Sequence, residues 1–484
     1  MIGHAVSVPY LYIEIKSDII TNMLANIKRG TNMKIVIIGN GKVGYKLAKN
    51  LSEESYDVVI IDHNEEKLKE AINKLDVHCF AGDGVSAEIQ TEAGVPDADL
   101  VIACAPTDEL NMLSCLIARR IGAKHTIARV RNPIYYQQID LLKEDLRLSM
   151  VVNPELAVAN EIARNLIFPA ASKVETFMKG RIELVEFLIR EGNPIVGYKL
   201  LDLYRKFQIK ILICAIQRGD EVYIPDGEFL LQEGDILHIA ATHSEMEKFF
   251  GKVGDQKFRV KNVMICGGGR VGFYLAKKLC EMGMRVKMIE KKSERCEMLC
   301  EELPKATIIQ GNATDHDLLI EEGIKDTDAL IALTGLDEEN IIMGLFAKKQ
   351  GVPKIVAKVN EDSRVRMVTG MGLDSIVSAK SATADAIFSY VRARQNSLSS
   401  TNVEAMYRLV DDRVEALEFL VQAETEYTNI ALKDLKLKPN NLIACIDRRR
   451  QIIIPSGNDS IQVGDSVVVI TKSRKVQDIT DILA

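Results

Sequence analysis

The sequence predicts an α/β protein with two tandem Rossmann-like parallel-sheet domains, each followed by a small α+β domain. Three observations predict this fold class. A glycine-rich turn occurs twice, strand-like runs alternate with helical patterns after each copy, and the two halves correspond well beyond the glycines. Strands that alternate with helices at this spacing are typical of a doubly wound parallel sheet.

The glycine-rich turns lie between a predicted strand and a predicted helix. Each follows an apolar run, residues 34–38 or 262–266, that is typical of a buried parallel strand. The first glycine permits the tight turn, the second lets backbone approach a pyrophosphate, and the third lets the helix pack on the strand. The helix N-terminus also favours phosphate. The residues are Gly39, Asn40, Gly41, Lys42, Val43 and Gly44 and, 228 positions later (267 minus 39), Gly267, Gly268, Gly269, Arg270, Val271 and Gly272.

A second strand-like run in each half ends in an acidic residue. Asp62 and Glu290 each lie 18 residues after the third glycine (62 minus 44 and 290 minus 272), near the spacing at which a carboxylate binds a ribose diol. An acid there repels a 2′-phosphate, so the first site favours NAD(H) over NADP(H). Lys291 and Lys292 weaken this preference in the second site, where ATP or ADP is an alternative. A turn without ligand explains one such pattern, but two complete copies favour nucleotide binding.

The other strand ends supply further candidate residues, because ligands of such sheets bind at the carboxyl ends of the strands. Arg129 and Lys358 end the fifth predicted strand of each half and could face the phosphates. Arginine grips two phosphate oxygens, whereas lysine acts as a point charge. An intersubunit salt bridge is the alternative for both. The strand ends carry Asp62, Asp83, Ala105 and Arg129 in the first half and Glu290, Asn312, Thr334 and Lys358 in the second.

Composition narrows the class of function. The 62 basic and 68 acidic residues give a net charge of −6, tryptophan is absent, and no basic cluster is interleaved with aromatics, so nothing favours nucleic-acid binding. The nine cysteines are scattered without a Cys-x-x-Cys pair and predict reduced thiols in a cytosolic protein. The histidines form no ligand-spaced cluster, so no metal site is predicted. No apolar run reaches the roughly 18–20 residues of a membrane span.

Each parallel-sheet half is followed by a smaller module. Residues 183–189 match residues 415–421, and residues 211–216 match residues 442–446. Short strands with Gly-Asp turns predict an antiparallel α+β domain of roughly 80 residues in each half. The basic run 448–450 lies between two strand-like stretches and is expected to be a solvated hairpin tip.

The repeat also sets domain boundaries. We expect a disordered N-terminal extension over residues 1–32, since Met33 directly precedes the first strand and an early start codon would explain the extra residues. The parallel-sheet domains are predicted over 33–152 and 259–378, and the small domains over 172–252 and 402–484.

The doubled order of glycine turn, acid, Gly-Asp, Asp-Glu-x-Asn and small β-module resembles the TrkA family. The last motif stands at residues 108–111 and 337–340, and the resemblance covers residue 33 to about residue 480. Members are peripheral regulatory proteins of bacterial and archaeal Trk potassium-uptake systems, built of tandem RCK (KTN) domains. The resemblance implies a non-enzymatic protein that binds NAD(H), with ATP or ADP in some members. It further implies a cytoplasmic location on the inner face of the cell membrane, a potassium-translocating partner (TrkH/TrkG-like), and a homotetramer whose eight lobes form a ring.

The resemblance also implies two sets of site residues. The first comprises residues 39–43, Asp62, the Ala105-Pro106 loop and Arg129; the second comprises residues 267–271, Glu290, Thr334-Gly335 and Lys358. This sequence departs from its own repeat in two ways. The second copy has Asn312 for Asp83 and Lys358 for Arg129, and the first copy has Pro106, which offers no backbone donor.

An NAD-dependent dehydrogenase on a duplicated Rossmann scaffold is the alternative from another class. A dehydrogenase needs a substrate pocket and a proton donor near the nicotinamide. The small modules show no histidine, lysine or tyrosine constellation that is matched in both copies; His238, for example, has no counterpart. Binding of another small ligand by the small modules remains a third reading.

Overall fold

The computed structural model describes residues 33–168, 171, 173–178, 181–253, 260–368, 373–398, 403–410, 413–473, 476 and 478–484. These residues fall into two units, Met1–Asn153 and Pro154–Ala484. The predicted N-terminal extension, residues 1–32, lies outside the described residues.

The first unit is a parallel sheet connected by helices. Its strands pair in the order β3-β2-β1-β4-β5-β6, all in parallel, which confirms the predicted Rossmann-like sheet. The strands are β1 (Lys34–Ile38), β2 (Asp57–Asp62), β3 (His78–Ala81), β4 (Leu100–Ala103), β5 (Thr126–Arg129) and β6 (Met150–Val152). The helices are α1 (Lys42–Glu53), α2 (Glu65–Lys74), α3 (Ala87–Glu92), α4 (Asp108–Ile121), α5 (Pro133–Gln137) and α6 (Ile139–Asp145).

Burial on both faces explains the apolar composition of the central strands. Ile35 and Ile37 of β1 are fully buried, as are Val101 and Ile102 of the neighbouring β4. Strand order reverses direction between β1 and β4, so the connections that leave these two strands diverge. Such a switch point opens a crevice at the carboxyl ends of the strands.

The second unit begins with helix α7 (Pro154–Ile167) and a small antiparallel sheet. Gly234, with φ +84°, makes the predicted Gly-Asp turn, and both carboxylate oxygens of the buried Asp235 accept hydrogen bonds from Arg218 at 2.7 and 2.8 Å. The sheet has the order β10-β9-β11-β8-β7. Its strands are β7 (Lys173–Phe177), β8 (Ile182–Leu188), β9 (Leu212–Arg218), β10 (Glu221–Tyr223) and β11 (Ile236–Ala241), with helices α8 (Leu200–Phe207) and α9 (His243–Val253).

A second parallel sheet follows, with the order β14-β13-β12-β15-β16-β17. It repeats the strand order of the first unit and confirms the predicted duplication. Its strands are β12 (Asn262–Cys266), β13 (Arg285–Glu290), β14 (Thr307–Gln310), β15 (Ala329–Ala332), β16 (Lys354–Lys358) and β17 (Ser375–Val377). Its helices are α10 (Arg270–Glu281), α11 (Ser293–Glu302), α12 (His316–Glu321), α13 (Asp337–Lys349), α14 (Asp362–Val368) and α15 (Ala379–Leu398).

The second small sheet has the order β18-β19-β22-β20-β21. Arg449 and Arg450 form the exposed β20–β21 turn, as expected for a hairpin tip. The expectation of a fully solvated basic run was wrong for Arg448, whose guanidinium donates to both carboxylate oxygens of the buried Asp465 at 2.9 and 2.8 Å. The strands are β18 (Val403–Leu409), β19 (Val414–Leu420), β20 (Asn441–Arg448), β21 (Gln451–Ile453) and β22 (Ser466–Thr471).

Helix α7 packs on the second parallel sheet rather than forming a free connection. Its residues Val158 and Ile162 are fully buried in one hydrophobic cluster with Ile265 and Leu275. The Lys278 ammonium donates to Asn160 Oδ1 at 2.6 Å, and the buried Lys354 ammonium donates to the backbone oxygen of Ala171 at 2.7 Å. The segment that leaves the first sheet is therefore part of the core of the second.

The two small sheets pack against one another within the second unit. Cys214 of β9 and Cys445 of β20 lie in one buried cluster that both sheets share, and Arg181 forms an ion pair with Asp447 across it. All nine cysteines are free thiols. Within the described part of the chain, no helix combines the length and the apolar character that a membrane crossing requires.

Candidate nucleotide-binding sites

The three glycines of the first turn have three separate roles. Gly39 has φ +101°, a left-handed conformation that glycine adopts without strain. A Cβ at Gly44 would lie 1.9 Å from the backbone oxygen of Gly39, so helix α1 approaches the turn too closely for any side chain. A Cβ at Gly41 would meet no atom within 4 Å, so this position faces open space. The predicted roles of Gly39 in the tight turn and of Gly44 in helix packing are confirmed, and Gly41 has the open position that its predicted role in ligand approach requires.

The second turn repeats this geometry. Gly267 has φ +115°, and a Cβ at Gly272 would lie 2.3 Å from the backbone oxygen of Gly267. A Cβ at Gly269 would again meet nothing within 4 Å. Both turns therefore leave the same backbone position open toward whatever occupies the crevice.

Helices α1 and α10 begin directly after the open glycines. Gly41 and Gly269 are the N-cap residues, and both have extended backbone with ψ near 180° (−171° and −174°). Since glycine has no side chain to cap the helix, the first N–H groups stay available to a ligand. These N–H groups and the helix dipole favour an anion such as phosphate.

A cavity of about 450 Å³ lies at the carboxyl edge of the first sheet. This volume is within the ordinary range of small-molecule sites, roughly 300–1,000 Å³. The predicted residues that line it are Gly39, Gly41, Lys42, Val43, Asp62, Asp83, Ala105, Pro106 and Arg129. Two predicted residues do not line the cavity: Asn40 is buried within the turn, and Gly44 is buried in α1.

The acid at the end of β2 closes the glycine turn as well as facing the cavity. Asp62 Oδ2 accepts a hydrogen bond from the backbone N–H of Asn40 at 2.6 Å, and Oδ1 accepts one from that of Asn64 at 2.8 Å. Glu290 makes the same two bonds, from the N–H groups of Gly268 at 2.8 Å and Lys292 at 2.9 Å. A carboxylate has about four acceptor positions, so each acid keeps capacity for a ribose hydroxyl. The sequence pattern alone missed this second, structural role.

The cations that end the fifth strands contact the loop opposite the glycine turn. Arg129 Nη2 donates to the backbone oxygen of Ala105 at 2.8 Å, and Lys358 Nζ lies 3.3 Å from the backbone oxygen of Leu333. Burial lowers the pKa of Lys358. Arg129 lines the cavity, as a phosphate-facing cation must.

The Asp-Glu-x-Asn motif, residues 108–111, holds the loop at Ala105 through hydrogen bonds. Asn111 is fully buried; its Oδ1 accepts from the N–H of Ala105 at 2.6 Å, and its Nδ2 donates to the backbone oxygens of Ala105 and Arg129. Asp108 Oδ2 accepts from the N–H groups of Arg131 and Asn132 at 2.9 and 2.7 Å. The motif therefore joins the ends of β4 and β5 and positions site residues, and of its four residues Leu110 lines the cavity.

The same motif acts in the second sheet. Asn340 Oδ1 accepts from the N–H of Thr334 at 2.8 Å and from its hydroxyl at 2.9 Å, and Asn340 Nδ2 donates to the backbone oxygen of Lys358 at 2.9 Å. Asp337 Oδ2 accepts from the N–H groups of Asn360 and Glu361. Gly335 is exposed beside this network.

The residues after β3 and β14 are interchangeable in their local role. Asp83 Oδ1 accepts from the N–H of Val85 at 3.1 Å, and Asn312 Oδ1 accepts from that of Thr314 at 3.3 Å. Both form the same short turn, which an aspartate and an asparagine oxygen support equally. The exchange of Asp83 for Asn312 therefore preserves the backbone and removes one negative charge.

Two basic positions near the turn escaped the sequence interpretation. Lys67 and His63 line the first cavity, and Asn40 Nδ2 donates to the backbone oxygen of Lys67 at 2.8 Å. Arg295, 228 positions after Lys67 (295 minus 67), places Nε 2.9 Å from the backbone oxygen of Gly268. The signal that could have found Lys67 and Arg295 is the recurrence of a cation five residues after each acid.

Two further groups bear on chemistry at these sites. Cys104 lines the first cavity, and burial raises the pKa of its thiol to about 11, so it is protonated at neutral pH. In the described ranges, no group of three or more histidine, cysteine, aspartate or glutamate side chains is placed to hold a metal ion.

Family models match both halves of the chain. The TrkA-N domain matches residues 35–154 and 263–379, and the TrkA-C domain matches residues 184–254 and 416–484. The chain belongs to the TrkA family. It is 33% identical over 450 residues to the Trk system potassium uptake protein TrkA homolog of Archaeoglobus fulgidus, covering 93% of this chain and 100% of that protein. It is 31% identical over 447 residues to the protein TrkA of Vibrio alginolyticus, covering 92% and 96%.

This TrkA family member shares its fold with solved structures of the GsuK channel and its RCK domain. The GsuK channel bound to NAD matches with a TM-score of 0.61 and 19% identity, over 92% of this chain and 77% of that chain. The GsuK RCK domain matches with a TM-score of 0.61 and 20% identity, over 92% and 93%. This likeness confirms the predicted tandem RCK architecture.

Proposed function

We propose that this chain is the regulatory subunit of a Trk-type potassium-uptake system, and that it binds NAD(H) in the two glycine-turn cradles. ATP and ADP are further ligands of the second cradle in this proposal. The observation that carries it is the open backbone position at Gly41 and Gly269, each at a helix N-terminus and each close to an acid that accepts a hydrogen bond from the glycine turn. The full-length relatives named as Trk potassium-uptake proteins support the cellular role.

The proposed site consists of the residues predicted from the sequence. In the first cradle, the N–H groups after Gly41 face the pyrophosphate, Asp62 accepts from a ribose, and Arg129 approaches the phosphates from β5. Glu290 and Lys358 take these roles in the second cradle. The domain boundaries 33–152, 172–252, 259–378 and 402–484 belong to the same proposal.

The proposed mechanism is conformational and involves no turnover. Nucleotide binding shifts the packing of the lobes, and the shift is transmitted to a membrane potassium-translocating subunit (TrkH/TrkG-like) at the cytoplasmic face. A full switch from 1:99 to 99:1 needs about 5.5 kcal/mol of differential binding. In a homotetramer with eight lobes each cradle supplies only about 0.7 kcal/mol, which is below the typical coupling of roughly 1–3 kcal/mol.

Calorimetric titration of the full chain with NADH, NAD, ATP and ADP tests this proposal. Gly41→Leu and Gly269→Leu each place a side chain in the open position of one cradle, where the added Cβ meets no protein atom within 4 Å. We expect each variant to lose one class of sites and to keep the other. Lys49→Gln, on the exposed part of α1, is the matched control and should bind as the parent does.

Two results would contradict the proposal. One is a chain that binds none of the four nucleotides. The other is steady oxidation or reduction of the nicotinamide on addition of a small organic substrate, which would favour the dehydrogenase.

A further inference from the structure

The side chains beside the two ribose acids differ in charge. His63 follows Asp62, lines the first cavity, and places Nδ1 3.5 Å from Asp62 Oδ1 with 78% of its side chain exposed. The corresponding residue after Glu290 is Lys291, which is exposed. The exchange of histidine for lysine therefore adds a positively charged side chain beside the second acid.

The first cradle has little excess positive charge. Three cations line its cavity against two carboxylates, which leaves one net positive charge with histidine counted as neutral. These charged groups come from α1, β2, α2, the β3 loop and β5, and they are Lys42, Asp62, Lys67, Asp83 and Arg129.

The corresponding positions of the second cradle carry far more positive charge. Four cations oppose the single carboxylate of Glu290, because Asp83 is replaced by Asn312 and His63 by Lys291. The net charge is three positive, against one in the first cradle. The four cations are Arg270, Lys291, Arg295 and Lys358, and Lys292 adds a further cation where the first half has Asn64, which does not line the first cavity.

Contacts with the glycine turn hold Arg295 near Glu290, the acid that is proposed to bind the ribose. Its Nε donates to the backbone oxygen of Gly268, whose N–H is bonded to Glu290 Oε2 at 2.8 Å. Its guanidinium carbon lies 5.9 Å from the centre of the Phe273 ring. A guanidinium whose position is set by these contacts, with Lys291 and Lys292 nearby in the chain, offsets the repulsion between Glu290 and a phosphate on the ribose 2′ oxygen.

We propose that the two cradles differ in whether they accept a phosphate on the adenosine ribose. The second cradle binds NADP(H) as well as NAD(H) at any pH near neutral. The first cradle excludes NADP(H), because Asp62 repels the 2′-phosphate and little excess positive charge offsets that repulsion. This inference rests on the proposed nucleotide binding and adds the ligand class to it.

Titration of NADPH and NADH into the full chain with the first cradle blocked by Gly41→Leu tests the second cradle. We expect the two dinucleotides to bind within about threefold of one another. Arg295→Met should weaken NADPH about tenfold or more, the value of a lost charge-assisted hydrogen bond, and leave NADH nearly unchanged. Arg285→Gln, at the opposite end of β13, is the matched control and should change neither affinity.

Titration of the same two dinucleotides with the second cradle blocked by Gly269→Leu tests the first. We expect NADPH to bind about tenfold or more weakly than NADH, because Asp62 repels the 2′-phosphate. His63→Lys places a lysine where the second cradle has Lys291, and should raise the ratio of NADPH to NADH affinity about 2- to 5-fold.

Several results would overturn the inference. An equal preference for NADH in both cradles would do so, as would an Arg295→Met variant that weakens both ligands alike, or a His63→Lys variant that leaves the ratio of NADPH to NADH affinity in the first cradle unchanged. In each of these cases NADH still binds, and the proposed regulatory function stands. Failure of both cradles to bind any nucleotide removes the function and the inference together.

Discussion

The two cradles share one backbone but close the glycine turn with different side chains. In the first, the short Asp62 is combined with Asn40, whose amide reaches the backbone oxygen of Lys67 at 2.8 Å. In the second, the longer Glu290 is combined with Gly268, where a Cβ would lie 3.1 Å from Glu290 Cβ and 2.5 Å from a Leu299 methyl group. Both cradles therefore preserve the hydrogen bond between the carboxylate and the turn. The longer acid of the second cradle is accompanied by a smaller turn residue, glycine in place of asparagine.

The start of the fifth strand shows a second difference. In the first sheet His125 Nδ1 lies 3.1 Å from the hydroxyl of Ser149. In the second, Lys354 takes this place, is 1% exposed, and donates to the backbone oxygen of Ala171. Asp374 partly offsets the cost of this buried charge, and Arg190, 3.8 Å from Asp374, adds to it. The second sheet thus buries a charged group, and the hydrogen bond of this group holds the segment that follows α7.

The largest expected effect comes from the glycines that pack helix on turn. Gly44→Ala and Gly272→Ala each bring a methyl group against a backbone oxygen that no rotamer change can relieve, at 1.9 and 2.3 Å. We expect a loss of about 3–5 kcal/mol in the free energy of unfolding, greater for Gly44→Ala. Urea denaturation followed by circular dichroism measures it. Gly41→Ala and Gly269→Ala are matched controls and should be near parental, and equal losses at all four glycines would refute the division of roles.

The buried Lys354 is expected to make stability depend on pH. Burial lowers its pKa from 10.5 to about 8, so between these values the unfolded chain holds a proton that the folded chain has released. The free energy of unfolding should therefore rise with pH across this window, by up to about 3 kcal/mol at roughly 1.36 kcal/mol per pH unit. The measurement is urea denaturation at pH 7, 8, 9 and 10 for the parent and Lys354→Met. Parallel curves for the two proteins would contradict the prediction, because their difference isolates this one ammonium.

Removal of the ribose acid should weaken binding in the first cradle. Asp62→Ala loses the acceptor for the ribose hydroxyl, and we expect NADH affinity to fall by about 1.5–3 kcal/mol. Since Asp62 also accepts from Asn40 and Asn64, the free energy of unfolding should fall as well. Calorimetry on Asp62→Ala in the Gly269→Leu background gives the first value, and urea denaturation gives the second. Unchanged affinity would remove Asp62 from the site, and Glu290→Ala in the Gly41→Leu background provides the same test for the other cradle.

The smallest effect is expected from the cations of the fifth strands. Arg129→Lys replaces the forked guanidinium, which donates to the backbone oxygen of Ala105, by an ammonium that acts as a point charge. We expect the phosphate contacts in the first cradle to weaken by about 1 kcal/mol. Lys358→Arg should strengthen the second cradle by a similar amount. Competition calorimetry with ADP resolves changes of this size. If both substitutions weaken ADP binding, or both strengthen it, the fifth-strand cation has different roles in the two cradles.

Much of the fold could be predicted from the sequence because its signals are local and occur twice. Apolar runs at residues 34–38 and 262–266 form strands within one residue of the expected limits, and the glycine turns, acids and Gly-Asp turns appear where they were expected. The structural role of the acids was missed, because a hydrogen bond from Asn40 to Asp62 joins residues that only the folded sheet brings together. The partnership of Arg448 with Asp465 was missed for the same reason.

By itself, the sequence determined the two parallel sheets, the glycine turns and the candidate residues at the strand ends. It could do so because hydrophobic period, turn chemistry and motif spacing act between residues close in the chain. Only the tertiary structure decided that α7 joins the core of the second sheet, that Asn111 and Asn340 clamp the cradle loops, and that a lysine lies buried beside Ala171. These features depend on burial and on hydrogen bonds between distant residues, and both exist only when the layers are packed.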